Sequence, residues 1–368
     1  MKKLLNVLLT FAIIFCLLLA PACGEDSSTA SSQKNSGSQS FGRYSPVDKV
    51  VLFIGDGMGL NHVLNTELYT NSQTYFSGWE TQISVDTNSL SGLTDSAAAA
   101  TAMATGSRTQ NKALGMLPDG TNLTSVTELA KKANLGAGVV TSDDITGATP
   151  AGFTAHVENR ENSALILLSQ TQNSLDFIIG EGAYSNYKSI FDQAGFSYIN
   201  NYDSLNNDAG RFFACFNEVV CENGTSKTPT LTQLATFAVN YMEHNYPEGY
   251  FLMIEGAKID KKSHNSGYRS IEAMMQELID FNNAVKAVDG IISGDYALIV
   301  TADHETGGLL KAENKEQLTN ALYTASDHTD TNVPLYFKST LENVPEILQN
   351  QLILNTDIFK LCKYLLAI

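Results

Sequence analysis

Six histidines occur in the chain: His62, His156, His244, His264, His304 and His328. Three of them keep acidic company. His264 follows Asp260 by four residues, a spacing that turns both toward one point on a helix or turn. Asp303 and His304 are adjacent at the end of an apolar run, and His328 sits in Ser-Asp-His-Thr. Mixed imidazole and carboxylate ligands suit zinc, and two such clusters plus one more histidine would hold two ions. A lone histidine is more often structural, which is the reading for His62 and His156, while His244 reads as a surface residue. A second chemistry is offered by Thr94-Asp95-Ser96-Ala97-Ala98-Ala99-Ala100-Thr101, which puts Ser96 at the start of an alanine-rich helix. Unpaired N–H groups and the positive dipole end favour a phosphate there. Taken alone, Asp-Ser before a helix is an ordinary N-cap, so both readings stand at this point.

The elements that must position these groups follow from the apolar pattern. Residues 50–54, 137–141, 250–254, 297–301 and 333–337 are short continuous apolar runs, as expected for strands buried on both faces in a parallel sheet. Between them, residues 96–105, 126–133, 230–244 and 271–293 read as helices. This alternation predicts an α/β fold, a three-layer sandwich with a central, mostly parallel β-sheet flanked by helices. Asp56, Glu255, Asp303 and His304 emerge just after three of the runs. Ligands of open α/β sheets bind at the carboxyl ends of strands, so these four groups are expected to share one site.

Taken in order, the motifs resemble those of the alkaline phosphatase family. Residues 50–59, Val-Val-Leu-Phe-Ile-Gly-Asp-Gly-Met-Gly, resemble the family's opening motif, and residues 94–101 resemble its phosphoserine signature. Ala148-Thr149-Pro150-Ala151-Gly152 is similar to a third segment, and Ala155-His156-Val157-Glu158-Asn159-Arg160 follows at the family's spacing. Ile254-Glu255-Gly256-Ala257-Lys258-Ile259-Asp260 with His264 resembles a fourth, and Thr301-Ala302-Asp303-His304 and His328-Thr329 complete the set. The resemblance runs over residues 47 to 340, and an ordered set of this kind is highly specific.

The resemblance implies roles. Asp260, His264 and His328 hold one zinc; Asp56, Asp303 and His304 hold a second, with Ser96 as its further ligand. A zinc pair can clamp an in-line displacement, with Ser96 attacking phosphorus as an alkoxide and a water then hydrolysing the phosphoserine. Arg160 binds two phosphate oxygens through its planar fork. Lys261, next to Asp260, either assists phosphate through water or is a solvated charge. A magnesium-type third site would use Glu255, Thr149 and the far oxygen of Asp56. The family's remaining ligand is an Asp or His two residues before the Thr149 position, where this chain has Gly147. The third ion is therefore expected to be weak, more hydrated or absent, with added magnesium changing activity little; Asp144 is the nearby carboxylate offered as a substitute. The stretch from residue 161 to 247, where relatives carry extra elements, is short here, which suggests an open rim and broad specificity. Within it, residues 176–182 resemble a family strand and turn.

The rest of the sequence bounds location and partners. A net charge of -16 disfavours nucleic acid and anionic membrane surfaces, and a phosphate site in such a chain needs local cations. Residues 1–23, with Lys2, Lys3 and an apolar run, read as a signal peptide. Residues 19–23, Leu-Ala-Pro-Ala-Cys, resemble a lipoprotein cleavage site, which implies export to the periplasm or cell envelope and a membrane link only through lipidated Cys23. Residues 24–45 are a polar tether, and 46–368 the catalytic domain. Cys215 and Cys221 lie six apart in a loop-like stretch and are candidates for a local disulfide, with two unpaired thiols as the alternative; Cys362 reads as a buried small hydrophobe. Small phosphate monoesters are the implied substrates, and a homodimer is the family's common assembly. A phosphodiesterase of the same superfamily and a catalytically silent phosphate-binding lipoprotein are the competing readings.

Overall fold

A computed structural model describes residues 46–368. The expected signal peptide, Cys23 and the tether lie outside the described residues. Ten strands form one sheet: β1 (Lys49–Gly55), β2 (Thr81–Asp86), β3 (Gly136–Asp144), β4 (Phe177–Glu181), β5 (Ser197–Ile199), β6 (Phe212–Phe216), β7 (Tyr250–Gly256), β8 (Tyr296–Thr301), β11 (Val333–Ser339) and β12 (Leu352–Leu354). Their order is β12-β2-β11-β8-β1-β7-β3-β4-β6-β5. A separate short ribbon pairs β9 (Glu305–Thr306) with β10 (His328–Thr329). The sheet is parallel from β8 through β5. Helices Leu60–Thr70, Leu231–Asn245, Lys258–Ser263 and Ile271–Asp289 pack among themselves, and Ser96–Thr105, Val126–Lys132, Ala148–Thr154 and Asn355–Leu366 form a second group. The architecture is α/β with a large, mostly parallel central sheet flanked by helices.

β1 shows why the centre is parallel. All seven of its residues are buried, and it lies between β7 and β8 with helices over both faces. Only a crossover connection gives neighbouring parallel strands that much cover. Two expectations are corrected. The run at 333–337 forms β11, which is antiparallel to both β8 and β2; burial on both faces gives the same apolar run in either direction. Cys215 is not in a loop but in β6, whose five residues are all buried. Its side chain belongs to the main core while Cys221 lies beyond the strand, and both are free thiols. Cys362 is buried in the last helix.

The helix Ser96–Thr105 is buried along its whole length. Its alanines let it pack closely against the helix Ala148–Thr154. A Cβ added at Gly152 would stand 2.6 Å from the Ala100 Cβ and 3.0 Å from the Thr101 nitrogen, so only glycine fits at that contact. No described helix is long and apolar enough to cross a membrane.

Candidate active site

The carboxyl ends of β1, β7 and β8 converge. Asp56 follows β1, Glu255 is near the end of β7, and Asp303 and His304 follow β8. All four are buried. Asp260 lies in the short helix after β7, and His264 caps that helix at its C-terminus. His328 is delivered by the β9–β10 ribbon, where it pairs with Thr306. Gly57 makes this crowding possible: its φ is +72°, and an added Cβ would lie 2.9 Å from the Asp260 Cβ.

The groups form two contiguous clusters. In one, His264 Nε2 is 3.1 Å from Asp260 Oδ1 and 3.1 Å from His328 Nε2. In the other, His304 Nε2 is 3.2 Å from Asp303 Oδ2 and 3.5 Å from Asp56 Oδ1. The rings of His304 and His328 stack with centroids 3.5 Å apart. Hydrogen bonds fix the tautomers. His328 Nδ1 is 3.0 Å from the Thr94 carbonyl, which can only accept, so Nδ1 carries the proton and Nε2 holds a lone pair. His304 Nδ1 is 3.2 Å from Thr306 Oγ1, whose hydroxyl donates to Asp260 Oδ1 at 2.5 Å. That hydroxyl therefore accepts from His304 Nδ1–H, leaving Nε2 to face the carboxylates. Thr306 bridges the two clusters. Sequence reasoning did not single it out, and nothing in its spacing marks it.

This donor set fits metal ions. Asp56 Oδ1 and Asp303 Oδ2 are buried with no hydrogen-bond partner, an expensive condition for carboxylate oxygens. Burial, then the charges of Asp303, Asp260 and Glu255, hold the Asp56 pKa well above the usual carboxylate range. Burial also lowers the pKa of His304, with His328 adding to the effect, so that ring stays neutral as a ligand must. Burial would raise Asp260 as well, but the hydrogen bond from His264 and the neighbouring imidazoles outweigh it and its pKa is lowered. Lone pairs and carboxylate oxygens aimed at common points, in one cluster fully buried and one partly buried, call for cations.

Ser96 and Arg160 join this site. Ser96 Oγ is 3.2 Å from His304 Nε2, at the N-terminus of its buried helix. The helix cap is Asp95, whose Oδ1 accepts from Ala98 N at 3.0 Å, so the serine hydroxyl is not spent on capping. The other Asp95 oxygen accepts from Lys112 N at 3.0 Å and from Arg160 Nη1 at 3.3 Å. Asp95 thus ties the guanidinium to the residue beside the serine, a positioning role its sequence context did not disclose.

Other expected residues are placed differently. Thr149 Oγ1 is buried without a partner, near Glu255, whose carboxylate accepts from Thr141 Oγ1. Burial and the charges of Asp143 and Asp303 outweigh that hydrogen bond and push the Glu255 pKa up to about 8. Asp144, the carboxylate offered as a substitute ligand, accepts through Oδ1 from Thr146 N at 2.8 Å and from the Tyr184 hydroxyl at 2.6 Å. Lys261 is half-exposed and pairs with Asp143. His62 is buried between Gly59 N and Ser263 Oγ, and burial lowers its pKa to about 4. His156 bonds the Gly115 carbonyl at 2.8 Å, and exposed His244 lies 3.3 Å from Asp208.

Comparison with known proteins points to one family. Residues 47–176 and 184–352 match the family model for alkaline phosphatase. Alkaline phosphatase 4 of Bacillus subtilis (strain 168) is 31% identical over 299 residues, covering 74% of this chain and 64% of its own length. Alkaline phosphatase 3 of the same organism is 31% identical over 336 residues, covering 83% of this chain and 70% of its own length. The chain thus spans about two thirds of the length of these relatives. The structure is similar to that of alkaline phosphatase from the Antarctic bacterium TAB5, with a TM-score of 0.73 and 26% identity over 87% of this chain and 98% of that one.

Proposed function

The chain belongs to the alkaline phosphatase family, and from that premise we propose that it hydrolyses phosphate monoesters through Ser96, with a zinc ion held at each of the two clusters. Asp56, Asp303 and His304 would hold one ion beside Ser96, and Asp260, His264 and His328 the other. A bound zinc pair supplies Lewis acidity, lowering the pKa of coordinated hydroxyl and water and stabilising the attacking and leaving oxygens.

The chain's own residues do the rest. The Ser96 hydroxyl stands at the positive end of its helix, where negative charge is favoured. Its oxygen bonds to phosphorus as the bond to the ester alcohol breaks, giving phosphoserine and the free alcohol. A water oxygen then bonds to phosphorus, phosphate leaves, and Ser96 recovers its proton. Arg160, held by Asp95, presents the remainder of its fork to two phosphate oxygens. The observation that carries this reading is Ser96 Oγ at 3.2 Å from His304 Nε2, with two unpartnered carboxylate oxygens around that same nitrogen. We place the protein outside the cytoplasm, tethered through Cys23, acting on small monoesters and not on nucleic acid; a homodimer is the assembly to test first.

The decisive experiment is hydrolysis of a chromogenic aryl phosphate with metal analysis of the same sample. Zinc-dependent turnover with about two zinc ions per chain is expected. Folded, zinc-loaded protein without turnover would sink the monoesterase reading in favour of a diesterase or a silent binder. A second expectation concerns Arg160→Lys. A point charge cannot reproduce the bidentate fork, so kcat/KM should fall about tenfold to a hundredfold. An unchanged value would place Arg160 outside the phosphate site.

A further inference from the structure

Lys112 stands where the backbone favours glycine. It is the third residue of the turn 110–113, closed by Ala113 N donating to the Gln110 carbonyl at 3.2 Å, and its φ is +73°. Such a turn requires positive φ at that position, which a residue with a Cβ resists. Among the described residues, the other non-glycine residues at positive φ are Asn71, Asn134, Asn223 and the near-terminal Ala367, and asparagine tolerates the region. The turn also holds the phosphate machinery. Lys112 N donates to Asp95 Oδ2 at 3.0 Å, and Arg160 N donates to the Lys112 carbonyl at 2.9 Å. Glycine would supply both groups without strain. What glycine would not supply is the ammonium, which lies 2.6 Å from Glu161 Oε1. Glu161 follows Arg160 directly in the chain. Its pKa is held below the usual carboxylate range, chiefly by the hydrogen bond from Lys112 and the charge of that residue, with Arg160 adding to the effect. Glu161 is thus a charged carboxylate within electrostatic range of the guanidinium.

We propose that Lys112 is a positioning residue for phosphate binding: its ammonium engages the Glu161 carboxylate and keeps it from competing with substrate for Arg160, resting on the reading above in which Arg160 receives the phosphate. The physical case is a competition for donors. Arg160 gives Nη1 to Asp95 and has the remainder of its fork for phosphate. A free carboxylate fits that same fork, and one carried on the adjacent residue never diffuses away. It would also repel an incoming dianion, and in a chain of net charge -16 it would add to an unfavourable field. The Lys112–Glu161 pair is exposed on both sides, so its influence is modest and screened by salt.

The test uses the full-length, zinc-loaded protein and reads inorganic phosphate affinity by titration calorimetry, with KM, kcat and Tm beside it. Lys112→Gly keeps both main-chain hydrogen bonds and suits the positive φ, so Tm should not fall. Its phosphate affinity should weaken about fivefold at low salt, with KM for an aryl phosphate rising in step and kcat not falling. The defect should fade at about 0.5 M salt. Adding Glu161→Gln to Lys112→Gly should restore affinity, because the competing carboxylate is gone, and Lys112→Arg, which keeps the pair, should bind as wild type does. Undiminished affinity in Lys112→Gly would overturn the inference. So would a loss that Glu161→Gln does not repair, which would point to the turn itself. Wild type that binds phosphate without turnover fails the monoesterase reading alone, since the binding comparison still decides the role of Lys112. Wild type that binds no phosphate overturns both.

Discussion

Ser96→Ala should lower kcat toward an aryl phosphate by at least about a thousandfold, with zinc-loaded Tm unchanged within a degree or two. The size of the effect comes from the loss of the proposed attacking group: Ser96 Oγ contacts His304 Nε2 at 3.2 Å, amid the unpartnered oxygens of Asp56 and Asp303. The small stability effect has equally specific causes. The cap of this helix is Asp95 and stays in place. Alanine is the better helix former, and the deletion removes one oxygen atom next to a polar cluster, not a methylene from the core. Activity within tenfold of wild type would rule out a covalent serine and leave direct attack by water.

The second large effect is that of stripping the metal. At a thousandfold excess over its Kd, each ion contributes about 4 kcal/mol, so removing two should lower Tm by on the order of 15 °C. The loss should be larger at about pH 8.5 than at pH 7. Burial raises the Glu255 pKa from 4.5 to about 8, against the pull of its Thr141 hydrogen bond. An acid with a raised folded pKa keeps its proton in the folded chain when the unfolded chain has released it. The metal-free fold therefore loses stability as pH rises from about 4.5 to 8. His264, raised above 6.5 chiefly by its hydrogen bond to Asp260, adds a loss of the same sign as pH rises through its folded pKa. His62 and His304 are lowered, chiefly by burial. Their contributions change only below the unfolded value near 6.5, outside this window. Bound dications remove the penalty by stabilising the carboxylates. Melting metal-free and zinc-loaded protein at both pH values checks this. A gap of only a few degrees, or one that narrows at pH 8.5, would show that the carboxylates are not compensated by metal.

How much of this was legible beforehand differs by residue. Asp56, Glu255, Asp303 and His304 could be assigned to one site because each closes an apolar run, and strand ends of a parallel sheet gather on one side whatever the rest of the fold does. Asp260 and His264 were legible because helical spacing is local. The start of the Ser96 helix was equally local: an Asp-Ser pair before four alanines specifies where it begins. What depends on contacts between distant segments was not. The direction of β11 was hidden because a strand buried on both faces has one pattern for either orientation. Cys215 was misplaced because the aromatic run of β6 carries no alternation to mark it as a strand.

Asp143 and Asp144 make the same point most sharply. Neighbouring strand residues point to opposite faces, but the register of β3 against β4 shifts between Val140 and Asp144, so counting along the strand does not say which acid faces the site. Packing decided it: Tyr184 and Thr146 take Asp144, and Lys261 takes Asp143. Likewise, the proton positions on His328 and His304 depend on the Thr94 carbonyl and the Thr306 hydroxyl, the first of these 234 residues away in the chain. The sequence by itself determined the candidates: local pattern and spacing marked the strand-end acids and the histidines with acidic neighbours, while Ser96 and Arg160 stood out only through the ordered motifs of the family resemblance. The tertiary structure alone decided which nitrogen offers its lone pair, which acid is paired and which cation stands beside the clusters, because these are set by hydrogen bonds and charges between segments that meet only on folding.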